Sequence, residues 1–218
     1  MKKVLSIFLL LMSTIAVGQP EKKYSLPELL QEGRLNIVNR DVKVIDSLNY
    51  PYIRVSEHQS EGIIWLPIND FKSGQVTIEM RGKNILQKSF IGIAFHGQND
   101  TTYDAVYCRP FNFFAADSVR KIHAIQYVAH PTYTWKKLRD ERNGLYEKVI
   151  TDPPDPDGWF TMRLVINKTT IKAYINTNAQ PSLVIEKLSD YQSGRIGIFT
   201  GASSGGDFRN IYIRDSGK

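Results

Sequence analysis

Short segments in which apolar and polar residues alternate recur along the chain, separated by turn-forming residues. QVTIEMR is the clearest, because Val76, Ile78 and Met80 fall on one side of an extended strand and the polar residues on the other. WFTMRLVIN, TIKAYIN, PSLVIEKL and DFRNIYIR are further strand-like segments, and GIIWLP is a continuous apolar run typical of a strand buried on both faces. A chain built in this way has to pair its strands with one another.

These strands predict an all-β fold. No long amphipathic helix separates them, and only YSLPELLQEGR indicates a helical turn, with Pro27 near its start and Gly33 near its end. Many short strands with closely spaced turns predict an antiparallel two-sheet sandwich or jelly roll. The proline-rich region 129–158 is interpreted as one long loop. Cys108 is the only cysteine, so the core has to stabilise the fold without an intramolecular disulfide.

Residues 1–18 have the pattern of a signal peptide. Two lysines open the chain, an apolar run spans 4–17, and small residues precede the expected cleavage point near Gly18. The run is shorter than the roughly 20 residues that a membrane span needs. We therefore expect a secreted or periplasmic protein with no membrane span in the mature chain, a lead-in segment over 19–34 and one sandwich domain over 35–218.

Charge and metal-binding patterns disfavour a nucleic-acid partner and a bound metal. The formal net charge of +6 is mild, and its lysines and arginines are scattered without an aromatic platform, so we expect no nucleic-acid partner. The turn TDPPDPDG offers Asp152, Asp155 and Asp157 as oxygen ligands for Ca²⁺, but its three prolines favour a rigid turn. We predict no metal and no other cofactor, with Ca²⁺ at this turn as the alternative.

The segment YDAVYCRPF is the first candidate for a binding surface. Alternation places Val106 and Cys108 in the core and projects Tyr107 and Arg109 to the opposite side. A flat aromatic face with a polar tip and a fork of donors suit sugar rings and their hydroxyls. Ordinary surface packing of the arginine on the tyrosine is the alternative.

Two neighbouring segments add polar side chains. In FIGIAFHG, His96 shares a face with Gly92, and an imidazole with a pKa near neutrality suits a general acid or base. A structural histidine at a strand end is the alternative. In HAIQYV, alternation leaves two orientations open: either His123 and Tyr127 or Gln126 faces the cleft.

The second candidate cluster lies in the long loop. Tyr133 and Trp135 can form a stacking wall for a sugar, with Arg139 as a donor beside them, or they pin the loop down as a small hydrophobic cluster. Glu147 is the best-placed carboxylate for acid–base chemistry. A glycosidase with two carboxylates needs a partner about 5 to 9 Å away, and the sequence offers none for Glu147.

Several segments together carry a resemblance to a known family. GIAFHG, YDAVYCRPFNF, HAIQYV, WKKLR, DPDGWF and GDFRNIYI resemble secreted Bacteroidetes-type proteins of the concanavalin A-like lectin/glucanase superfamily, in the set grouped with the 3-keto-disaccharide hydrolase domain. The likeness spans roughly 35–214. It implies a concanavalin A-like or LamG-like jelly roll whose concave sheet receives a sugar, with Gln126 facing the cleft. Tyr127, Val128 and Ala129 stand where the acidic cluster of the hydrolases is expected.

Three functions follow as hypotheses. The first is carbohydrate binding on the concave sheet, the second is a glycoside hydrolase or lyase acting on a 3-keto-glycoside or another glycoside, and the third is an adhesion module without a small ligand. For the second, His96 or Glu147 is the expected base and Arg109 stabilises negative charge. The residues expected to contact the sugar are Tyr107, Arg109, Gln126, His96, Tyr133, Trp135 and Arg139.

Overall fold

The computed structural model describes residues 20–48 and 50–216, so the expected signal peptide lies outside the described residues. The strands are β1 (Lys22–Ser25), β2 (Asn36–Val38), β3 (Val42–Ile45), β4 (Tyr52–Val55), β5 (Gly62–Trp65), β6 (Gly74–Arg81), β7 (Ile91–Gly97), β8 (Tyr103–Cys108), β9 (Ile125–His130), β10 (Glu147–Lys148), β11 (Trp159–Ile166), β12 (Thr170–Ile175), β13 (Leu183–Glu186), β14 (Arg195–Thr200) and β15 (Gly206–Asp215). The helices are α1 (Leu26–Gln31), a 3₁₀ helix (Pro110–Asn112), α2 (Ser118–Lys121) and α3 (Trp135–Glu141). Across these ranges no helix has the length and apolar character needed to cross a membrane.

The strands form two antiparallel sheets. The eight-stranded sheet has the order β13-β12-β11-β6-β15-β4-β3, with β1 also paired to β15. The seven-stranded sheet has the order β10-β9-β8-β7-β14-β5-β2. The predicted all-β, two-sheet sandwich is confirmed.

The core lies between the two sheets and follows from the alternation of side chains. Val76, Ile78 and Met80 of β6 are fully buried in the same cluster as apolar residues of β7, β8 and β14 from the other sheet. Burying one such aliphatic side chain contributes about 1.5–3 kcal/mol, so several strands together supply the main stabilising term. Val106 and Cys108 of β8 lie in this core, as alternation predicts.

The amino-terminal lead-in belongs to the same packed body. The predicted helical turn is present as α1, and Gly33 follows it with a φ of +66°, a left-handed conformation that glycine adopts without penalty. Leu26 of α1 is fully buried in the core, and β1 extends the eight-stranded sheet beside β15. The sandwich therefore begins before residue 35, the boundary we expected from the sequence.

The region 129–158 is not one irregular loop. It contains α3, whose amino-terminal Thr134 side chain accepts a hydrogen bond from the Lys137 backbone amide at 3.3 Å, and the short edge strand β10. Side-chain capping of this kind satisfies a backbone donor that an isolated helix end leaves free. The loop interpretation is wrong here because a seven-residue helix and a two-residue strand are too short to give a periodic signal.

Candidate functional site

The outer face of the seven-stranded sheet carries a second apolar cluster, separate from the core. Trp65, Tyr103, Tyr107 and Phe199 project from its strands, and Leu138 of α3 packs against them. The helix therefore covers part of the outer face, because its apolar side chain is buried there. The remainder of that face carries the candidate site.

Strand pairing aligns several side chains of this face in one row. Glu147 of β10 pairs with Gln126 of β9, Gln126 pairs with Tyr107 of β8, and Tyr107 pairs with Gly92 of β7. The row continues to Phe199 of β14, which pairs with Gly92. Since paired residues in a sheet project to the same side, the register fixes these groups relative to one another.

Gly92 allows the close packing at the centre of this row. A Cβ atom at this position would lie 2.1 Å from the Val106 carbonyl oxygen and 2.8 Å from Cβ of Tyr107. The Tyr107 ring instead lies against Phe199, with ring centroids 5.1 Å apart. A glycine is needed here because the neighbouring strand occupies the space of a side chain.

A cleft of about 550 Å³ opens over this part of the sheet. Its floor includes Tyr107, Arg109 and Phe199, and Trp135 and Arg139 of α3 contribute to its lining. The other lining residues are Glu61, Leu86, Gln87, Phe90, Phe111, Asn112, Arg120, His123, Gly201, Ala202 and Ser203. The cleft thus combines aromatic surfaces with three arginines.

Arg109 is held in a fixed position at the floor. Nη2 donates to the Tyr107 hydroxyl at 3.0 Å and also to Oε1 of Gln126, and Nη1 donates to the His123 carbonyl at 2.8 Å. The Tyr107 hydroxyl in turn donates to Oε1 of Gln126 at 2.9 Å. Arg109 is 4% exposed, so its planar fork is preorganised by buried partners.

Glu147 supplies the buried negative charge beneath the cleft. Nε and Nη2 of Arg139 donate to its two oxygens at 3.2 and 2.9 Å, and Nη1 of Arg109 lies 3.7 Å from Oε2. The residue is 2% exposed. Since it is buried, the Glu147 carboxylate has little access to a ligand in the cleft. Its role is to hold the Arg109 and Arg139 guanidiniums in place.

His123 borders the cleft next to this carboxylate. Its Nδ1 lies 2.7 Å from Oε2 of Glu147, although the two atoms are not aligned for an N–H···O hydrogen bond. Burial lowers the pKa of His123; Glu147 opposes this shift, whereas Arg139 and Arg109 reinforce it. The imidazole is therefore neutral near pH 7 and has the protonation state of a base.

The two orientations left open for HAIQYV are resolved by burial. Tyr127 points into the core, where its hydroxyl donates to Oδ1 of Asp104 at 2.7 Å, and Gln126 points to the outer face. His123 also reaches the cleft because it precedes β9 and is not bound by the alternation of that strand. Gln126 itself is fully buried and lies under Tyr107 and Arg109, so its side chain supports the floor.

His96 does not belong to the cleft, and the prediction that it faces outward with Gly92 is wrong. The pairing of β7 with β14 shifts register beside it, and His96 has a φ of 50°. This bulge turns the side chain inward, as bulges commonly redirect one residue of a strand. The imidazole is fully buried, with Nε2 2.7 Å from the Lys72 carbonyl oxygen and Nδ1 3.3 Å from Nζ of Lys187.

The two aromatics predicted as a wall separate in the structure. Trp135 is 45% exposed and lines the cleft, with the Arg139 guanidinium carbon 5.3 Å from its ring centre. Tyr133 is not among the lining residues; it packs beside β9, with the Lys137 ammonium and the Arg142 guanidinium each 5.3 Å from its ring centre. Its backbone pairs with Ala129 in an isolated bridge, and its ring packs against the buried apolar clusters of the sandwich.

Two carboxylates of the acid-rich turn accept hydrogen bonds from backbone amides. Oδ1 of Asp155 accepts from the Asp157 amide at 3.0 Å, and Oδ1 of Asp157 accepts from the Asn84 amide at 2.8 Å. Over residues 20–48 and 50–216, no three His, Cys, Asp or Glu side chains come together as a metal site. Asp152 adopts a positive φ of 50° at this turn.

A second cavity of about 690 Å³ lies at the eight-stranded sheet. At one side of it, Arg54 and Arg81 both donate to the Asp207 carboxylate, at 2.8 and 2.6 Å for the shortest contacts. These hydrogen bonds outweigh the effect of burial and lower the pKa of Asp207. The described lining of this cavity includes no aromatic side chain, whereas the first cleft combines aromatic surfaces with arginines, so the first cleft is the stronger candidate.

The two packed sheets define the class of fold, a galectin-like sandwich of the concanavalin A-like type. A Bacillus subtilis protein of unknown function with a galectin-like fold matches at a TM-score of 0.57 and 13% identity, over 89% of this chain and 94% of that one. The exoplasmic/lumenal domain of VIP36, in a form bound to Ca²⁺ and Man3GlcNAc, matches at a TM-score of 0.54 and 11% identity, over 87% and 86% of the two chains. The metal-free Emp46p carbohydrate recognition domain matches at a TM-score of 0.52 and 16% identity, over 88% of this chain and 96% of that one.

At these identities the similarity shows the fold alone. No protein-family model matches the sequence. A search of curated proteins finds no match either. The predicted concanavalin A-like fold is therefore confirmed, and the resemblance to the 3-keto-disaccharide hydrolase group stays a prediction.

Proposed function

We propose that this protein binds a carbohydrate in the cleft on the outer face of the seven-stranded sheet. The observation that carries the proposal is a cleft in which Trp135, 45% exposed, stands beside arginine side chains, over a floor where Tyr107 and Arg109 hold each other at 3.0 Å. A rigid aromatic face beside a fork of donors matches the apolar faces and hydroxyls of a sugar ring. Preorganisation limits the entropy lost on binding.

Trp135 forms the exposed stacking surface in this proposal. A large, partly exposed aromatic side chain at the edge of a cleft contributes contact area at low conformational cost. The solved structures with the same fold include a VIP36 domain bound to Man3GlcNAc and the Emp46p carbohydrate recognition domain. The proposal also includes export of the protein, for which the signal-peptide pattern of residues 1–18 is the support.

A glycan panel tests the proposal on wild type and two variants. We expect wild type to bind at least one glycan, and Trp135→Ala to weaken that binding by about tenfold or more, since loss of a hot-spot aromatic costs roughly 2 kcal/mol. Tyr191→Ala is the matched control, because Tyr191 is 42% exposed and outside the cleft lining. Binding that is equally weakened in both variants, or absent in wild type, would contradict the proposal.

Elimination from a 3-keto-glycoside is the second candidate function, favoured by the contact between His123 and Glu147. In this candidate function, His123 has the role of base that we expected for His96. The neutral imidazole removes the proton beside the keto group. The electron pair forms an enolate that Arg109 stabilises, the bond to the glycosidic oxygen then breaks, and that oxygen takes a proton from water. The negative charge of Glu147, 2.7 Å from Nδ1, would stabilise the protonated imidazole.

Turnover of a 3-keto-glycoside decides between the two functions. If the second is correct, wild type releases the aglycone and His123→Gln slows release by about 10² or more, the usual contribution of general-base catalysis. Binding of the same compound should survive the substitution. Binding without any release by wild type would leave the protein as a binding module.

A further inference from the structure

Three guanidinium groups line the cleft, and one of them has no carboxylate partner in the part of the chain that the structure describes. Arg109 and Arg139 share Glu147. Nε of Arg120 donates to Oδ1 of Asn112 at 3.3 Å and Nη2 to the Phe111 carbonyl at 3.1 Å. Both of these partners are neutral, so the positive charge of Arg120 stays uncompensated at the cleft.

The carboxylates near the cleft do not balance these cations. Glu147 is buried and serves two arginines. Glu61, the one carboxylate among the described lining residues, accepts from the Tyr103 hydroxyl at 2.9 Å and lies 3.6 Å from Nε2 of His130. Three guanidiniums therefore stand against two carboxylates that are already engaged.

The cleft also presents unused hydrogen-bond donors, which a ligand with acceptor groups can satisfy. Among described residues, Nη1 of Arg120 and Nη1 of Arg139 donate no hydrogen bond to the protein. Charge-assisted bonds from a guanidinium to a carboxylate or sulfate are about twice as strong as bonds between neutral groups. A neutral sugar offers no charge to these nitrogens, whereas an anionic one satisfies both the charge and the hydrogen bonds.

We infer that the ligand of this cleft is an acidic glycan, carrying a uronate carboxylate or a sulfate ester that Arg120 and Arg139 bind. This inference rests on the proposed function, because it names the chemical class of the carbohydrate. The stacking surface of Trp135 then contacts the sugar ring, and the arginines contact its anionic substituent. Arg109, held below by Gln126 and Tyr107, adds to the positive potential at the floor.

Matched pairs of oligosaccharides test the inference directly. One arm pairs uronic acid oligosaccharides with the same chains after reduction of the carboxyl groups; the other pairs sulfated oligosaccharides with their desulfated forms. We expect at least one acidic member to bind about tenfold or more tightly than its neutral counterpart, because hydrogen bonds to a charged group are stronger than those between neutral groups. The arm that shows the preference identifies the anionic group.

Two charge-removing variants locate the effect. Arg120→Gln should abolish most of the preference for the acidic member and keep a cooperative unfolding transition, since the partly buried hydrogen bonds that it removes are to neutral groups. Lys172→Gln, which removes an exposed charge on β12 of the other sheet, should change nothing. If both variants lose the preference for the acidic member equally, the preference comes from the net charge of the protein, and the inference is overturned.

The remaining outcomes separate the inference from the function on which it rests. Equal binding of the acidic and neutral members, or binding of neutral glycans alone, overturns the inference and leaves the proposed carbohydrate binding in place. The absence of binding to every member of the panel overturns both.

Discussion

Nδ1 of His123 lies 2.7 Å from Oε2 of Glu147, and this contact joins the surface of the cleft to the charges beneath it. The pairing of β10 with β9 determines where the carboxylate lies, because Glu147 stands opposite Gln126. The imidazole comes from the segment before β9 and borders the cleft. A two-residue edge strand therefore fixes the electrostatics of the candidate site.

Glu147→Gln should destabilise the protein strongly. The substitution leaves Arg109, whose side chain is 5% exposed, without its buried counter-charge. Breaking a buried ion pair from one side costs about 3–5 kcal/mol in the free energy of unfolding. Urea denaturation measures this loss. Asp140→Asn, which breaks the exposed pair with Lys136, is the control and should cost less than about 1 kcal/mol.

His123 should make stability fall in mildly acidic solution. Its pKa is lowered in the folded protein, so below the usual value of 6.5 the unfolded chain binds more protons than the folded chain. The contribution of the neutral His123 to the free energy of unfolding is complete above pH 6.5. It is lost as the pH falls through the lower pKa that this histidine has in the folded state. The difference in free energy of unfolding between wild type and His123→Gln should therefore shrink or reverse on acidification. A difference that does not vary with pH would contradict this account.

Gly92→Ala should damage both the fold and the cleft. The new methyl group would meet the Val106 carbonyl oxygen at 2.1 Å and displace the strand that carries Tyr107. Overpacking of this kind costs about 1–3 kcal/mol. Thermal denaturation and glycan affinity should both report the change. Gly33→Ala is the comparison, since its surroundings are open and only its left-handed conformation, with a φ of +66°, opposes the substitution.

Cys108 should be inert in the native protein. Burial raises the pKa of its thiol and removes it from solvent. The thiolate is the reactive form, so an alkylating reagent at pH 8 should label the folded chain far more slowly than the chain in denaturant. Equal labelling rates under the two conditions would show that β8 opens readily.

Much of this arrangement could be predicted from the sequence, because strands impose a strict alternation. Val106 and Cys108 enter the core, and Tyr107 and Arg109 face the other way, as the pattern of β8 requires. The same rule failed for His96, where a bulge with a φ of 50° reverses the side chain. A single bulged residue leaves no periodic signal in the sequence.

The parts of the site that depend on distant pairing could not be predicted. Glu147 takes its place through β10, which has only two residues, and Arg120 comes from the segment between β8 and β9. Phe199 reaches the cleft from β14, the strand that pairs with β7 far along the chain. Neither propensity nor spacing reveals such neighbours, since only the sheet order brings them together.

The central claim is that the cleft on the outer face of the seven-stranded sheet binds the ligand, and the tryptophans can test it. The chain has three: Trp135 in the cleft, Trp65 buried in the same sheet and Trp159 on the eight-stranded sheet. Their indole N–H signals can be followed by NMR during titration with a bound glycan, with Trp135→Phe providing the assignment. We predict that the Trp135 signal shifts with the ligand while that of Trp159 stays in place. A shift of Trp159 alone, or saturable binding that moves neither signal, would contradict the claim.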